Sequence, residues 1–549
     1  EGEALAKDLA GYQPKWRTPV AFKYRNHDVI SMPPPSSGGI TLALIPRGTP
    51  GMDIGRRHFP LNCVFQNGPI YGKDVFLPLS QLIGGEDYIG HGWRMLVECL
   101  SVGRAITLPS TSSGASKLAA VVTGAYSRIR KQFGLSIGRF EGVEEALARI
   151  AGNAYAASAL SQATAAAVDR GEKPAVPSAI AKYHCTEMAR EVARDAMDIH
   201  GGKGVILGPK NYLGRGWQAA PISITVEGAN IMTRSLMIFG QGAIRCHPWV
   251  LKEMQAAQHP DPAVRLREFD ANLFGHIGFA ISNAVRSWWF GLTFAKIGGA
   301  PGDDYTRRYF RKLNRYSANL ALLADTSMLL LGGKLKFKER LSARLGDVLS
   351  QLYIASAMLK RYEEEGRPAT EQPLLAFAFH ESCHKIELAM SGALRNFPIR
   401  PAAWLLWMLV FPWGRRAQEP SDRLGHRAAA LLMSPSDARD RLGDGVFLTP
   451  CANNPAGRIN AALAKVILAE PVERKFLKAL KNSDIEALTF PEQLSEGVRE
   501  GWITAEERVQ LEELRELTWD AITVDDFDSS ELEAASLHRA QERQRERAA

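Results

Sequence analysis

The chain has 549 residues, of which 67 are Lys or Arg and 59 are Asp or Glu, so its formal net charge is +8. With 46% hydrophobic residues it is not an intrinsically disordered chain, and its length leaves room for about two to four domains. The mild positive charge permits an anionic partner but does not require nucleic acid. Six cysteines without a Cys-x-x-Cys pair argue against a disulfide framework and favour a reducing, cytoplasmic compartment.

The first 39 residues are basic and rich in loop-forming residues. Three consecutive prolines at 33–35 exclude a helix and a central strand there. Residues 40–45 and 73–79 are predicted strands, and the Pro- and Gly-containing stretch 46–51 is a predicted turn. We therefore expect short β-structure after a loop region.

From about residue 92 the apolar residues recur at three- and four-residue spacing, which is typical of helices. Predicted helices cover residues 93–106, 116–130, 143–170, 177–200 and 227–239. Their short breaks favour an antiparallel bundle. After a Pro-Asp-Pro boundary at 260–262 the chain is again predicted to be helical, most clearly at 288–292, 314–331 and 341–362, and 529–549 is predicted to be an exposed helix or a frayed tail.

Three short elements in the bundle region carry residue types suited to ligand chemistry. Arg130 offers a fork of donors that fits a phosphate, and Gly201-Gly202 lets a ligand approach the backbone. Glu227 follows the apolar run 221–226, and a carboxylate in such surroundings is suited to general-base work. Each element also has an ordinary structural interpretation: a solvated arginine, a helix C-cap, and an acidic residue that complements a helix dipole.

Taken together, these elements resemble the acyl-CoA dehydrogenases. Arg130-Lys131-Gln132-Phe133-Gly134 matches that family's Arg-Lys-x-Phe-Gly motif. Glu227-Gly228 with Arg234 matches its Glu-Gly-Thr-x-x-x-x-Arg motif, with Ala229 where Thr is usual. Residues 45–51 resemble the end of its middle β-domain, and Gly90-His91-Gly92-Trp93 resembles the entry into its first bundle helix. The long bacterial form of fatty-acid degradation, which has an extra helical C-terminal domain, is the most similar.

This resemblance implies a mainly α fold with four regions. Residues 40–88 would be a partial middle β-domain, residues 89–254 the catalytic helical bundle, and residues 255–549 the C-terminal helical extension. Residues 1–39 do not fit the family. They resemble instead the large subunit of γ-glutamyltransferase, most clearly at 8–12, 17–20 and 31–39.

The resemblance also implies an activity: FAD-dependent α,β-dehydrogenation of medium- or long-chain fatty acyl-CoA to trans-2-enoyl-CoA. Glu227 would be the base that removes the α-proton, and Arg104 and Gly228 would contact the substrate. Residues that would contact FAD are Arg130, Phe133, Asp198, Gly201 and Gly202. Asp198 and Glu141 stand where the family usually has Gln. An electron-transfer flavoprotein would be the oxidant, and the chain would form a homo-oligomer.

A second hypothesis follows from the junction near Gly39, ahead of which the dehydrogenase's N-terminal helical domain and the first half of its β-domain are not found. If those parts are missing, the chain is expected to hold FAD poorly. It would then be an inactive fusion that acts only as a helical assembly or a membrane-associating module. Flavin content discriminates between the two hypotheses.

Two further motifs lie outside the bundle. His380-Glu381-Ser382-Cys383-His384 matches the zincin pattern His-Glu-x-x-His, but no third ligand is marked, and a helix with two ordinary histidines is the expected interpretation. Residues 401–413 are strongly apolar and are followed by Arg415-Arg416. They are too short to span a bilayer. We expect either a buried helix or subunit contact, or an interfacial segment that would place the protein peripherally on the inner membrane.

Overall fold

The computed structural model describes residues 20–24, 27–31, 41–63, 67–245, 247–483 and 489–533. It divides into two compact units. One comprises residues 1–59 and 64–101, and the other comprises residues 60–63 and 102–549. The predicted features at 1–19 and 32–40, including the proline run, and most of the predicted tail at 529–549 lie outside the described residues.

The first unit contains short β-structure. Strands β1 (Val20–Tyr24) and β2 (His27–Ser31) pair antiparallel, and so do β3 (Met52–Ile54) and β4 (Ile70–Gly72). The predicted turn at 46–51 is confirmed, since Thr49 N–H donates to the Pro46 carbonyl at 3.2 Å.

Both strands that we predicted in this unit were wrong. The described part of 40–45 forms only an isolated bridge between Ala43 and Leu82. Residues 73–79 form a bend and an irregular segment, because Asp74 adopts a left-handed backbone with φ 52° directly after β4. The apolar residues at 75–77 gave the strand pattern, but this left-handed residue interrupts any extended pairing.

The second unit is helical, and its first three long helices match the prediction. They are α1 (Gly92–Ile129), in which the boundary between the two units falls, α2 (Glu141–Asp169) and α3 (Ala175–His200). The break that we predicted within α1 does not occur, and Pro109 is accommodated inside the helix. Between α1 and α2 the chain makes a tight hairpin of β5 (Lys131–Gln132) and β6 (Leu135–Ser136).

The predicted single helix at 227–239 is wrong. After α4 (Gly202–Val205) and α5 (Gly214–Thr225), the chain leaves helical geometry at two consecutive left-handed residues, Glu227 (φ 54°) and Gly228 (φ 94°). It re-enters as α6 (Asn230–Met232), a π-helical turn at Thr233–Ile238, and α7 (Phe239–Arg245). Two left-handed residues in succession cannot belong to a right-handed helix.

The remainder is helical, as predicted. It contains α8 (Val250–Ala257), α9 (Pro262–Leu292), α10 (Arg307–Leu331), α11 (Glu339–Glu364), α12 (Gln372–Arg395), α13 (Arg400–Val410), α14 (Asp422–Leu432), α15 (Asp437–Leu442), α16 (Pro455–Lys481), α17 (Phe490–Arg499), α18 (Ala505–Ile522) and α19 (Ser529–Glu533). Helix α9 starts after a cap in which Asp261 accepts from the Ala263 and Val264 N–H groups.

A single hydrophobic core runs through the second unit, from Ala119 of α1 to Ala521 of α18. Helix α2 packs against α3, α11, α12 and α14. Small residues permit close contacts between helices in this core. At Gly124 of α1, an added Cβ would lie 2.2 Å from the carbonyl oxygen of Leu432 at the end of α14.

Within the described part of the chain, no helix has both the length and the apolarity needed to cross a bilayer. Most of the apolar stretch 401–413 lies in helix α13, which has one buried side and one exposed side. Ala403, Leu406 and Val410 are buried in the core, whereas Trp404 and Met408 are exposed.

Candidate functional site

The loop between α5 and α6 presents Glu227 in a strained backbone. Its φ of 54° costs about 1–2 kcal/mol for a residue with a side chain. One carboxylate oxygen, Oε1, accepts from the Thr107 hydroxyl at 3.2 Å. The other, Oε2, is buried and has no hydrogen-bond partner among the described residues. A carboxylate held by one oxygen and free at the other is placed to accept a proton from a ligand.

Helix α1 supplies the residues that face this carboxylate. Arg104 and Thr107 are three residues apart and therefore share one face of the helix. The Arg104 Nε is buried and has no partner among the described residues. Burial lowers the pKa of Arg104, and the negative charge of Glu227 partly offsets this effect. Gly228 lies against the same guanidinium, since an added Cβ would be 3.3 Å from Arg104 Nη2.

A buried lysine of α3 holds the loop in place. Lys182 Nζ donates to the carbonyls of Gly228 at 2.8 Å and Ile224 at 3.3 Å, and to Asn230 Oδ1 at 2.7 Å. These three bonds use all three N–H donors of an ammonium group. Burial and, to a smaller extent, the neighbouring Arg104 cation lower the pKa of Lys182 to about 8, although Glu227 and Glu187 act in the opposite direction.

The loop is also anchored on its far side. Asn230 Nδ2 donates to Thr186 Oγ1 at 3.0 Å and to Glu187 Oε1 at 2.9 Å. In the π-helical turn, Arg234 forms a two-bond ion pair with Asp347 of α11, at 2.8 and 2.5 Å. This hydrogen bonding raises the pKa of Arg234. The Glu227 loop is thus bonded to both α3 and α11.

One predicted residue, Arg130, contacts the buried Tyr126, which also contacts His200 at the end of α3. The buried Tyr126 hydroxyl accepts from Arg130 Nη1 at 2.6 Å and donates to the His200 carbonyl at 3.3 Å. Its ring stacks on the His200 ring with a centroid distance of 4.1 Å. His200 Nδ1 lies 2.7 Å from the Ala196 carbonyl and Nε2 lies 2.8 Å from the Tyr212 hydroxyl. Burial lowers the pKa of His200 to about 3, so this histidine is neutral.

The other residues predicted to bind FAD lie on the surface. Phe133 is 94% exposed in the β5–β6 turn and has a positive φ of 52°. Asp198 is exposed on α3. Gly201 and Gly202 are exposed, with no atom within 4 Å of an added Cβ. Gly201 is the C-cap of α3 and has a positive φ of 56°, which favours glycine, whereas no packing contact within the described chain requires Gly202 to be glycine.

The structure brings Arg104, Glu227 and Gly228 into one site, and it links Arg130 to the helix end that precedes Gly201. Thr107, Tyr126 and Lys182 were not predicted from the sequence. One signal was available for Lys182: it is the only Lys, Arg, Asp or Glu within residues 176–185, at the start of the predicted helix 177–200.

Two histidine clusters lie away from this site. His380 and His384 share one face of α12 as predicted, but the three-residue ligand group found among the described residues, His247–His276–Asp325, does not include them. Burial and the cations Lys312 and Arg308 lower the pKa of His380 to about 4.

The His247–His276–Asp325 group is held by hydrogen bonds. His247 Nδ1 accepts from the Trp249 and Val250 N–H groups at 3.2 Å, so its Nε2 carries the proton that it donates to Asp325 at 2.7 Å. His276 lies between Glu253 at 2.8 Å and Asp325 at 3.4 Å. Because the bonds to Nδ1 leave a proton on His247 Nε2, this nitrogen is not free for a metal, and the cluster ties α8, α9 and α10 together.

Comparison with known families places two matches over the helical unit. The profile of the bacterial-type C-terminal domain of acyl-CoA dehydrogenases matches residues 244–527, and that of the acyl-CoA dehydrogenase C-terminal domain matches residues 90–239. The gamma-glutamyltranspeptidase profile matches residues 1–59, and therefore includes the segment 45–51 that the sequence analysis assigned to a dehydrogenase β-domain.

Curated relatives match parts of the chain. Protein HemX of Proteus mirabilis is 56% identical over 110 residues, which are 20% of this chain and 64% of that protein. The probable acyl-CoA dehydrogenase FadE10 of Mycobacterium tuberculosis is 26% identical over 344 residues, 60% of this chain and 50% of that protein. The chain thus spans about half to two thirds of the length of these relatives.

A solved structure shares the fold. The acyl-CoA dehydrogenase of Bacillus anthracis, complexed with FAD, superposes with a TM-score of 0.55 over 72% of this chain and 65% of its own, at 16% identity.

Proposed function

This chain belongs to the acyl-CoA dehydrogenase family, and we propose that it catalyses the FAD-dependent α,β-dehydrogenation of a fatty acyl-CoA with Glu227 as the base. The observation that carries the proposal is the Glu227 carboxylate. It sits in a left-handed loop, is hydrogen-bonded at one oxygen and is free at the other. A carboxylate confined in this way, beside a cation with an unused buried N–H, has the features of a positioned general base.

Two features of the chain are compatible with FAD. Gly201 and Gly202 leave open space at the end of α3. Arg130 uses Nη1 for Tyr126, and its remaining guanidinium N–H groups have no partner among the described residues, which leaves donors for a phosphate. We propose that these three residues, with Phe133 and Asp198, contact the cofactor. When bound, FAD supplies the acceptor for the hydride from the substrate β-carbon.

The chain's own residues prepare the α-carbon. Glu227 Oε2 would take the α-proton, while Thr107 keeps Oε1 in place. Lys182 holds the Ile224 and Gly228 carbonyls on either side of Glu227, so that the backbone there is fixed and the Glu227 N–H can face a substrate carbonyl. Arg104 would balance negative charge that develops on the substrate, and Gly228 beside it has a positive φ of 94°, which favours glycine.

Substrate and partner assignments extend this proposal. We propose a medium- or long-chain acyl-CoA as the substrate, an electron-transfer flavoprotein as the oxidant and a homo-oligomer as the working form. The family match and the named function of relatives such as FadE10 support the acyl-CoA class. Comparing butyryl-CoA with palmitoyl-CoA would determine the chain length.

The test is the flavin spectrum and the acyl-CoA turnover of the purified full chain. We expect Glu227→Gln to retain bound flavin and to lose about 10²- to 10⁴-fold in kcat, since it removes the base without changing its shape. Glu513→Gln, which alters an exposed carboxylate paired with Lys465 on the far helices, is the matched control and should leave kcat unchanged. A flavin-loaded chain that does not oxidise acyl-CoA, or a Glu227→Gln variant with full turnover, would contradict the proposal.

A further inference from the structure

Helices α9 and α13 expose a continuous apolar surface, which we name the α9–α13 face. On α9 the exposed apolar side chains follow a three- and four-residue spacing, so they form one stripe about 20 Å long. They are Phe274, Ile277, Ile281, Val285, Trp288 and Trp289. The stripe is markedly exposed, since Phe274 is 70% and Ile281 is 61% accessible.

Helix α13 continues this surface. It exposes Trp404, Leu405 and Met408 on the side opposite its buried residues. The two helices pack against each other, and Gly291 permits the contact because an added Cβ would lie 2.8 Å from Pro412 Cγ. Trp413, also exposed, donates its indole N–H to the Leu292 carbonyl at 3.3 Å.

Basic residues predominate around this face, although the exposed Asp270 lies one turn before Phe274 on α9. Residues 271–302 contain two basic and no acidic residues, and residues 388–418 contain four basic and no acidic residues. All six cations are exposed: Arg286, Lys296, Arg395, Arg400, Arg415 and Arg416. An apolar stripe with exposed tryptophans and a mainly cationic border is the composition that suits the interface of an anionic bilayer.

The same charges disfavour a second copy of the chain as the occupant. A two-fold contact would bring the same patch of each copy together, and so would face six cations with six more. A bilayer of anionic lipids instead supplies the opposite charge to the cations and an apolar layer to the tryptophans.

We propose that the α9–α13 face binds the surface of a membrane rich in anionic phospholipids. The contact is peripheral: α9 and α13 lie along the interface with their buried sides attached to the protein core. This inference is independent of the proposed dehydrogenase activity, since it uses no residue of the Glu227 site.

The test is flotation of the full chain with vesicles. We expect the protein to float with vesicles of phosphatidylcholine containing about one third phosphatidylglycerol, and to bind phosphatidylcholine alone at least about tenfold more weakly. Binding should fall as salt is raised to about 1 M. Trp289→Asp/Trp404→Asp should reduce binding at least about tenfold, because it places two carboxylates in the apolar stripe. Leu468→Asp, which changes an equally exposed leucine on α16, is the matched control and should bind as the wild type does.

Three results would overturn the proposal. The first is failure of the wild-type chain to float with the anionic vesicles. The second is full binding by the double variant, with circular dichroism showing that it is folded. The third is a wild-type dimer in light scattering that becomes a monomer in the double variant, since this would show that a second copy covers the face.

Discussion

The bonds of Lys182 lead to a quantitative prediction about the Glu227 loop. Replacing Lys182 with Met removes all three hydrogen bonds, to Ile224, Gly228 and Asn230, while keeping the length of the side chain. At about 1 kcal/mol for each bond, the loop loses about 3 kcal/mol of anchoring. That exceeds the cost of about 1–2 kcal/mol for the left-handed backbone at Glu227, so the strained conformation would no longer be held.

Since each 1.4 kcal/mol is a factor of ten, the opening equilibrium of the loop should shift about 100-fold toward the open form. Hydrogen exchange measured by mass spectrometry on peptides covering 224–230 should accelerate by about that factor. A fall in kcat with KM changed less should accompany it if Glu227 is the base. Asn230→Ala removes one Lys182 bond together with the bonds from Asn230 to Thr186 and Glu187, so it should also accelerate exchange, which provides a second variant if Lys182→Met folds poorly.

Lys117→Met is the matched control, because Lys117 is another lysine whose pKa burial lowers. Its Nζ donates to the Asp444 carbonyl at 3.0 Å and makes no contact with the loop. It should leave exchange at 224–230 unchanged. Unaltered exchange in Lys182→Met, or equal acceleration in Lys117→Met, would refute the reasoning.

Two further predictions concern stability. Gly124→Ala should lower the free energy of unfolding by about 2–3 kcal/mol in urea denaturation, because its Cβ would lie 2.2 Å from the Leu432 carbonyl oxygen. Gly142→Ala is the control: it has no atom within 4 Å of the added Cβ and should be neutral or stabilising by up to about 1 kcal/mol. Equal urea midpoints for the two variants would show that the close contact at Gly124 is absent. The pKa of His200 is lowered from 6.5 to about 3, so below pH 6.5 the unfolded chain binds a proton that the folded chain does not, and stability should decrease as the pH falls from 6.5 toward 3. The His200 ring should show no titration by NMR between pH 7.5 and 5, and a chemical shift change near pH 6.5 would contradict its buried neutral state.

The helices could be predicted from the sequence because their signal is local. Apolar spacing located α2, α3, α10 and α11 to within a turn or two. The errors arose where a single backbone conformation overrides the pattern. The left-handed backbone at Asp74 prevents the strand that the apolar residues 75–77 suggest. The left-handed residues Glu227 and Gly228 prevent the helix that the spacing of 227–239 suggests.

The candidate site was predicted only in part, for a related reason. The motif marked Glu227 and Gly228, and the family resemblance added Arg104, but neither indicated what positions them. Lys182 reaches the loop from 46 residues away, and Asp347 binds Arg234 from 113 residues away. Contacts between residues so far apart in the sequence depend on how the helices pack, and the spacing of apolar residues within one helix does not predict that packing. A lysine in an apolar helix can be recognised as unusual, but its acceptors cannot be identified before the fold is known.

The continuous core from α1 to α18 has a thermodynamic consequence. Two separate family profiles match residues 90–239 and 244–527, yet the residues they cover bury one shared set of side chains, and Arg234 is paired with Asp347 across the boundary between the profiles. Such an arrangement should unfold cooperatively, as one transition rather than two. The C-terminal helices are therefore part of the same folding unit. Cutting the chain after residue 245 would remove α11 and α12 from the core that supports Glu227. The remaining helices would lose the surface against which they pack.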